Sequence, residues 1–157
     1  DSRGPVFFKQ ERIGKNGKPF YPFKFRTMVE GAQSQGLGNT VSKDDERITG
    51  MGKFLRKWGI DELPQLLNIL KGEMSLVGPR PERPELFPAL ARDVPGYLWR
   101  STVKPGLTGL AQVRGWRGAT AIGPRVQADL EYIRRRSIWL DLWILARTPF
   151  RMRSRTE

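Results

Sequence analysis

The stretch Leu55-Arg56-Lys57-Trp58-Gly59-Ile60-Asp61-Glu62-Leu63-Pro64-Gln65-Leu66 decides how the centre of this chain folds. Ile48, Met51, Phe54, Leu55 and Trp58 recur at spacings of three and four, which predicts one apolar helix face. Gly59 breaks that helix. A second helix is predicted over 61–71, with Pro64 tolerated in its first turn and Gly72 as its stop. Two adjacent carboxylates thus open an apolar helix just after the cations Arg56 and Lys57. A helix start turns unpaired backbone N–H groups and the positive end of its dipole toward that point. Such a place suits a phosphate, or a carboxylate that must stay ionised. Capping alone would also account for an Asp-Glu pair, so the rest of the chain has to choose.

The chain has 157 residues and contains no His and no Cys. A Ser–His–Asp triad, a Cys nucleophile and a thiolate or imidazole zinc site are excluded. Polar chemistry here must use carboxylate, Lys, Arg, Tyr, hydroxyl or a hard metal, and oxygen ligands point to Mg²⁺ or Mn²⁺. The absence of Cys also excludes a disulfide framework, as a reducing compartment would. The length is that of one ordinary domain with a real core. The net charge is +12, and 19 of the 28 cationic residues are Arg. That balance favours polyanions, namely nucleic acid, anionic lipid or phosphorylated small molecules, with Arg suited to bidentate phosphate contacts.

Outward from the centre, residues 6–13 and 20–28 flank Asn16-Gly17 and predict a β-hairpin, because a type I′ turn needs positive φ at both central positions. Pro19 and Pro22 mark the second strand as short or at an edge. Residues 29–46, rich in Gly, Ser, Gln and Asp, read as a mobile loop. Ser75-Leu76-Val77-Gly78-Pro79-Arg80-Pro81-Glu82-Arg83-Pro84 reads as a rigid turn presenting two Arg, and residues 86–92 as a short helix. The Gly-rich segment 103–118 is expected to hold one short strand at 110–113. Pro124 opens an amphipathic helix carrying Val126, Leu130 and Ile133. Residues 138–146 are then apolar on nearly every face, with Arg147, Arg151, Arg153 and Arg155 following. The expected fold class is α+β: a helix-rich single catalytic domain over 1–157, with an N-terminal β-hairpin, little regular sheet and association with a membrane surface.

Five stretches occur in a fixed order: Gly4-Pro5-Val6-Phe7-Phe8-Lys9-Gln10, Lys24-Phe25-Arg26-Thr27-Met28, Asp61-Glu62-Leu63-Pro64-Gln65-Leu66, Ser75-Leu76-Val77-Gly78-Pro79-Arg80-Pro81, and residues 104–113 from Lys104-Pro105-Gly106 to Gln112-Val113. Together they resemble the bacterial sugar transferase family, the monotopic polyprenyl-phosphate phosphoglycosyl transferases. The ending from Gly115-Trp116 to Leu140-Asp141 resembles its hexose-1-phosphate branch, which initiates exopolysaccharide and O-antigen chains. The resemblance implies transfer of a hexose-1-phosphate from a UDP-sugar to undecaprenyl phosphate, with release of UMP, at the cytoplasmic face of the bacterial inner membrane. It implies a covalent phospho-sugar intermediate on Asp61, with Glu62 as a second catalytic residue and Mg²⁺ (or Mn²⁺) held through Asp61. Family members carry a hydrophobic membrane-inserted segment before the first motif. These 157 residues, which open abruptly at Asp1-Ser2-Arg3, read as a fragment without it. That bears on membrane insertion and acceptor binding, not on the identity of the catalytic domain.

An Asp carboxylate can attack phosphorus once a cation masks the repulsion. Arg56, five residues before Asp61, and Arg80, on its proline-braced turn, are the candidate phosphoryl contacts. Lys24 and Arg26 face either the nucleotide or solvent. Arg100 and Lys104 serve either substrate phosphate or plain surface charge. Gln112 is a substrate contact or a buried amide satisfying the backbone. The apolar stretch 138–146 is too short to span a bilayer. It is either core or, with its two Trp and the basic tail, interfacial at an anionic membrane surface. Two other classes compete: a nucleic-acid binder, for which no helix-turn-helix, zinc knuckle or RNP-like strand is present, and a non-enzymatic membrane scaffold, which gives the Asp61-Glu62 pair no purpose. The expected partners are therefore UDP-sugar, undecaprenyl phosphate and anionic membrane, without nucleic acid. The sequence names neither the sugar nor an oligomeric state, and a homo-oligomer stays open.

Overall fold

The computed structural model describes residues 1–32, 45–116 and 120–153, the last three by backbone alone. Most of the predicted 29–46 loop, Arg117 and Gly118, and the end of the basic tail lie outside the described residues. The hairpin forms around a turn in which Asn16 (φ 57°, ψ 30°) and Gly17 (φ 75°) both take the positive φ that a type I′ turn requires. The Gly14 N–H closes it on the Lys18 carbonyl at 2.8 Å. The two long strands expected are four short ones. β1 (Phe7–Lys9) pairs antiparallel with β4 (Phe23–Phe25), and β2 (Arg12–Ile13) with β3 (Pro19–Phe20). Pro22, between β3 and β4, has no N–H to give to a ladder. The pairing therefore lapses there.

Thr49 caps α1 (Gly50–Trp58), its hydroxyl accepting from the Gly52 N–H at 2.9 Å, and Gly59 ends it at φ 65°. The helix is where the spacing places it, but its apolar face is not core. Met51, Phe54 and Trp58 are exposed, while Ile48 is buried. The single helix expected over 61–71 is instead a 3-10 segment, Ile60–Gln65, followed by α2 (Leu66–Leu70). Pro64 contributes no N–H, and the turn before it is wound tightly, with the Glu62 N–H on the Gly59 carbonyl at 3.3 Å. Gly72, at φ 77°, stops α2 as expected.

β5 (Ser75–Val77) pairs in parallel with β6 (Gly106–Thr108), with α3 (Phe87–Asp93) and the 3-10 segment Tyr97–Thr102 between them. The strand predicted at 110–113 is a helix, α4 (Leu110–Val113), all four of whose residues are buried. A segment buried on every side has no period to separate strand from helix. The strand lies earlier, where Gly permits close backbone contact. A Cβ on Gly106 would stand 2.1 Å from the Gly78 nitrogen. α5 (Ile122–Arg135) and α6 (Ile138–Arg153) complete the chain. Val77, Leu110, Val113, Tyr132 and Ile144 form the central core. On α6 Ile144 is fully buried, yet Trp139 is 77% exposed and Ile138, Leu142 and Phe150 are also exposed. Among the described residues no helix is long and apolar enough to cross a membrane.

Candidate active site

Gly59 leaves α1 in the left-handed region and turns the chain so that Asp61 and Glu62 fall in the first turn of the 3-10 segment, each only 8% exposed. β4 lies against this segment. Side chains alternate along a strand, so Phe23 and Phe25 share one face, where Phe25 stacks on Phe7 at 5.6 Å, and Lys24 takes the other. The Lys24 ammonium reaches Glu62 Oε1 at 2.8 Å. Arg80 closes on the same carboxylate with its fork, donating from Nη2 to Oε1 at 2.8 Å and from Nη1 to Oε2 at 3.3 Å. Burial holds the Lys24 ammonium below its ordinary pKa against the pull of Glu62. Glu62, with help from Asp61, lifts the Arg80 guanidinium above its ordinary value.

Two residues that no sequence signal marks lie around this cluster. Asn68, with no exposed surface, accepts from the Phe23 N–H at 2.9 Å and donates to the Tyr21 carbonyl at 3.0 Å and to Glu73 at 2.7 Å. It fixes β4, and therefore Lys24, beside the 3-10 segment. Arg12 joins through the backbone bridge between Ile13 and Glu82. Burial, reinforced by Arg80 and Arg83, pushes its guanidinium down to about 10, with Glu82 and Glu62 opposing.

The other candidates separate. Arg56, in the last turn of α1, donates from Nε to Thr27 Oγ1 at 2.8 Å. Arg26 binds backbone carbonyls of its own chain, those of Ser2, Arg3, Gly4 and Pro5. Arg100 is buried, donating from Nε to Asp129 at 2.7 Å and from Nη2 to the Arg80 carbonyl at 3.0 Å. Gln112 is buried and donates to the Leu107 carbonyl at 3.3 Å. Lys104 lines a separate open groove of about 370 Å³ with Ile69, Leu76, Asp141, Leu142 and Leu145. The structure thus brings together Asp61, Glu62, Lys24 and Arg80. It gives Arg26, Arg100 and Gln112 partners within the chain.

Among the described residues no group of three or more acidic side chains gathers as a metal cage. Glu62 carries two cations, and Asp61, the carboxylate that the resemblance puts toward an ion, stands beside it with its Oδ1 buried. That donor set does not fit a protein-only site. It fits Mg²⁺, which keeps waters and takes one or two carboxylates together with substrate phosphates.

The bacterial sugar transferase family model matches residues 1–155. The chain belongs to that family. It is 46% identical over 155 residues to a UDP-glucose:undecaprenyl-phosphate glucose-1-phosphate transferase of Xanthomonas campestris pv. campestris, covering 96% of this chain and 32% of the relative. A UDP-N-acetylgalactosamine-undecaprenyl-phosphate N-acetylgalactosaminephosphotransferase of Aeromonas hydrophila is 42% identical over 150 residues, 94% of this chain and 35% of the relative. An exopolysaccharide production protein of Rhizobium leguminosarum bv. phaseoli is 45% identical, covering 92% of this chain and 76% of the relative. The chain spans about a third of the length of the first two of these relatives. In this member of the family three of the ordered motifs meet at one carboxylate. Lys24, Glu62 and Arg80 come from the second, third and fourth of them.

Proposed function

We propose that the chain is the catalytic part of an enzyme that transfers a hexose-1-phosphate from a UDP-sugar to undecaprenyl phosphate, the first membrane step of a surface glycan. The observation that carries this reading is the buried Asp61-Glu62 pair, with Glu62 clamped by Lys24 and Arg80. Two cations on Glu62 mean that an approaching diphosphate meets one uncompensated carboxylate fewer. A carboxylate oxygen of Asp61 bonds to the phosphorus that bears the sugar. The bond from that phosphorus to UMP breaks, and UMP leaves with the electron pair. An oxygen of the lipid phosphate then bonds to the same phosphorus, and the Asp61 bond breaks to restore the carboxylate. Arg80 and Arg56 supply donors for the phosphoryl oxygens, and Asp61 would also hold Mg²⁺, which supplies charge neutralisation when bound. The names of the relatives include both glucose and N-acetylgalactosamine, so the choice of hexose turns on few contacts.

The test is exchange of labelled UMP into a UDP-sugar without lipid acceptor. Exchange is expected in the wild type and is lost in Asp61→Asn and in EDTA, with a hexose-phosphate adduct on Asp61 by mass spectrometry. Exchange persisting in Asp61→Asn, or an adduct elsewhere, overturns the reading.

We further propose that the enzyme lies on the cytoplasmic face of the inner membrane. Exposed Trp139 and Trp143, with Arg147 over the Trp143 ring at 4.5 Å, support an interfacial placement for α6. Binding to anionic liposomes over neutral ones, weakened by Gln at Arg147, Arg151, Arg153 and Arg155, is the expected result. Binding indifferent to lipid charge overturns it.

A further inference from the structure

The Arg80 turn is held from behind by α5. Pro79 and Pro81 flank Arg80, and a residue before proline is confined to extended backbone. The direction of the Arg80 carbonyl is therefore tied to the direction in which its side chain leaves the chain. That carbonyl accepts from Arg100 Nη2 at 3.0 Å, while Arg100 Nε donates to Asp129 Oδ2 at 2.7 Å. The pair is sealed, with side-chain exposures of 6% and 2%. A second link braces the turn two residues on, Arg125 to Glu82 at 3.6 Å. The Ile13 N–H holds the Glu82 carbonyl at 2.9 Å.

A buried ion pair is often no more stabilising than apolar side chains of the same volume. Its use here is geometric. A guanidinium is planar, with donors in fixed directions. One edge anchored on Asp129 leaves the other aimed at a single backbone carbonyl. A lysine would keep the charge and lose the fork.

We propose that Arg100 and Asp129 are positioning residues for the transfer reaction: anchored on α5, they fix the Arg80 backbone so that its guanidinium sits on Glu62 and faces the phosphoryl group. This rests on the reading that Arg80 works at the active site. Arg100 and Asp129 act only through Arg80. Burial pushes the Asp129 carboxyl up from its ordinary value against the pull of Arg100, so the link depends on a pairing that neither partner sustains alone.

The test is a double-mutant cycle in the intact enzyme, comparing wild type, Asp129→Asn, Arg80→Ala and the double variant by kcat, KM for UDP-sugar and Tm. Arg80→Ala is expected to lower kcat on the order of 10²-fold. Asp129→Asn should lower kcat about 10-fold with KM changed less than about 3-fold, the pattern of a lost transition-state contact. In the Arg80→Ala background Asp129→Asn should cost nothing further in kcat, while its effect on Tm recurs in full. A merely structural role would slow both backgrounds equally. If Asp129→Asn does not fold, Arg100→Lys replaces it with the same expected coupling. Equal slowing in both backgrounds, or no slowing in the wild type, overturns the proposal and leaves the role of Arg80 intact. Full rate in Arg80→Ala overturns the role of Arg80, and the positioning role with it.

Discussion

Two clusters of charge meet at Arg80, one at its side chain and one at its carbonyl, and are built on opposite plans. At Arg100 and Asp129 one cation meets one carboxylate and the pair is closed to solvent. At Glu62 two cations share one carboxylate, and both keep some exposure, 22% for the Lys24 side chain and 34% for that of Arg80. The first cluster is balanced. The second sets two cations, Lys24 and Arg80, against Glu62 and its neighbour Asp61, with Arg12 close enough to feel Arg80 and Glu62. A balanced, sealed pair has nothing left to offer a ligand, whereas cations that keep exposed surface can meet a diphosphate. Access to solvent, more than residue type, separates Arg80 from Arg100.

Removing one charged group in each place gives the sharpest break between them. Asp61→Asn should abolish turnover while leaving Tm near wild type, whereas removing one partner of the sealed pair, as in Arg100→Met, should destabilise by about 3–5 kcal/mol. Urea unfolding of both variants beside a UMP-release assay checks this, and equal stability losses would erase the distinction. Next in size, Arg80→Ala should lower kcat by roughly 10²- to 10³-fold. Arg92→Ala should change the rate little, because the Arg92 side chain is 77% exposed and pairs with its neighbour Asp93. Similar small losses in both would return Arg80 to the structural group. The smallest effect is on pH dependence. Lys24 has its pKa lowered by burial, so below the ordinary lysine value of 10.5 the unfolded chain binds more protons at this position. Its contribution to stability therefore rises with pH as that range is entered from neutrality. Lys24→Met should remove the rise, seen as a flatter stability profile above neutral pH, and an unchanged slope would count against the buried state of Lys24.

How far the sequence could be read follows the range of each interaction. Asp61, Glu62 and Arg80 were legible because their signals are local, a glycine break in one case and flanking prolines in the other. Arg100 was open between phosphate and surface because its partner, Asp129, is 29 residues away and carries no mark of its own. Arg26 read as a strand cation because nothing local announces that it will wrap four carbonyls of the N-terminal segment. Met51, Phe54 and Trp58 show the limit of periodicity. The spacing marks a shared face, but not whether that face meets protein or the exterior. Residues 110–113 read as a strand because a tetrapeptide buried on all sides, its Gln112 included, has no period, whereas the strand itself is Gly106–Thr108.

The parallel pairing of β5 with β6 has a consequence for the order in which the molecule assembles. The hairpin and α1 join neighbours in sequence and can form as soon as they are made. Ser75 must find Gly106 across an intervening α3 and 3-10 segment, a loop closure that costs about 3 kcal/mol in chain entropy before any contact rewards it. The turn carrying Arg80 follows β5 directly and takes its final shape only once the backbones of Gly78 and Gly106 meet. The acidic pair therefore belongs to the locally connected part of the chain, and its arginine to the part that a long closure completes.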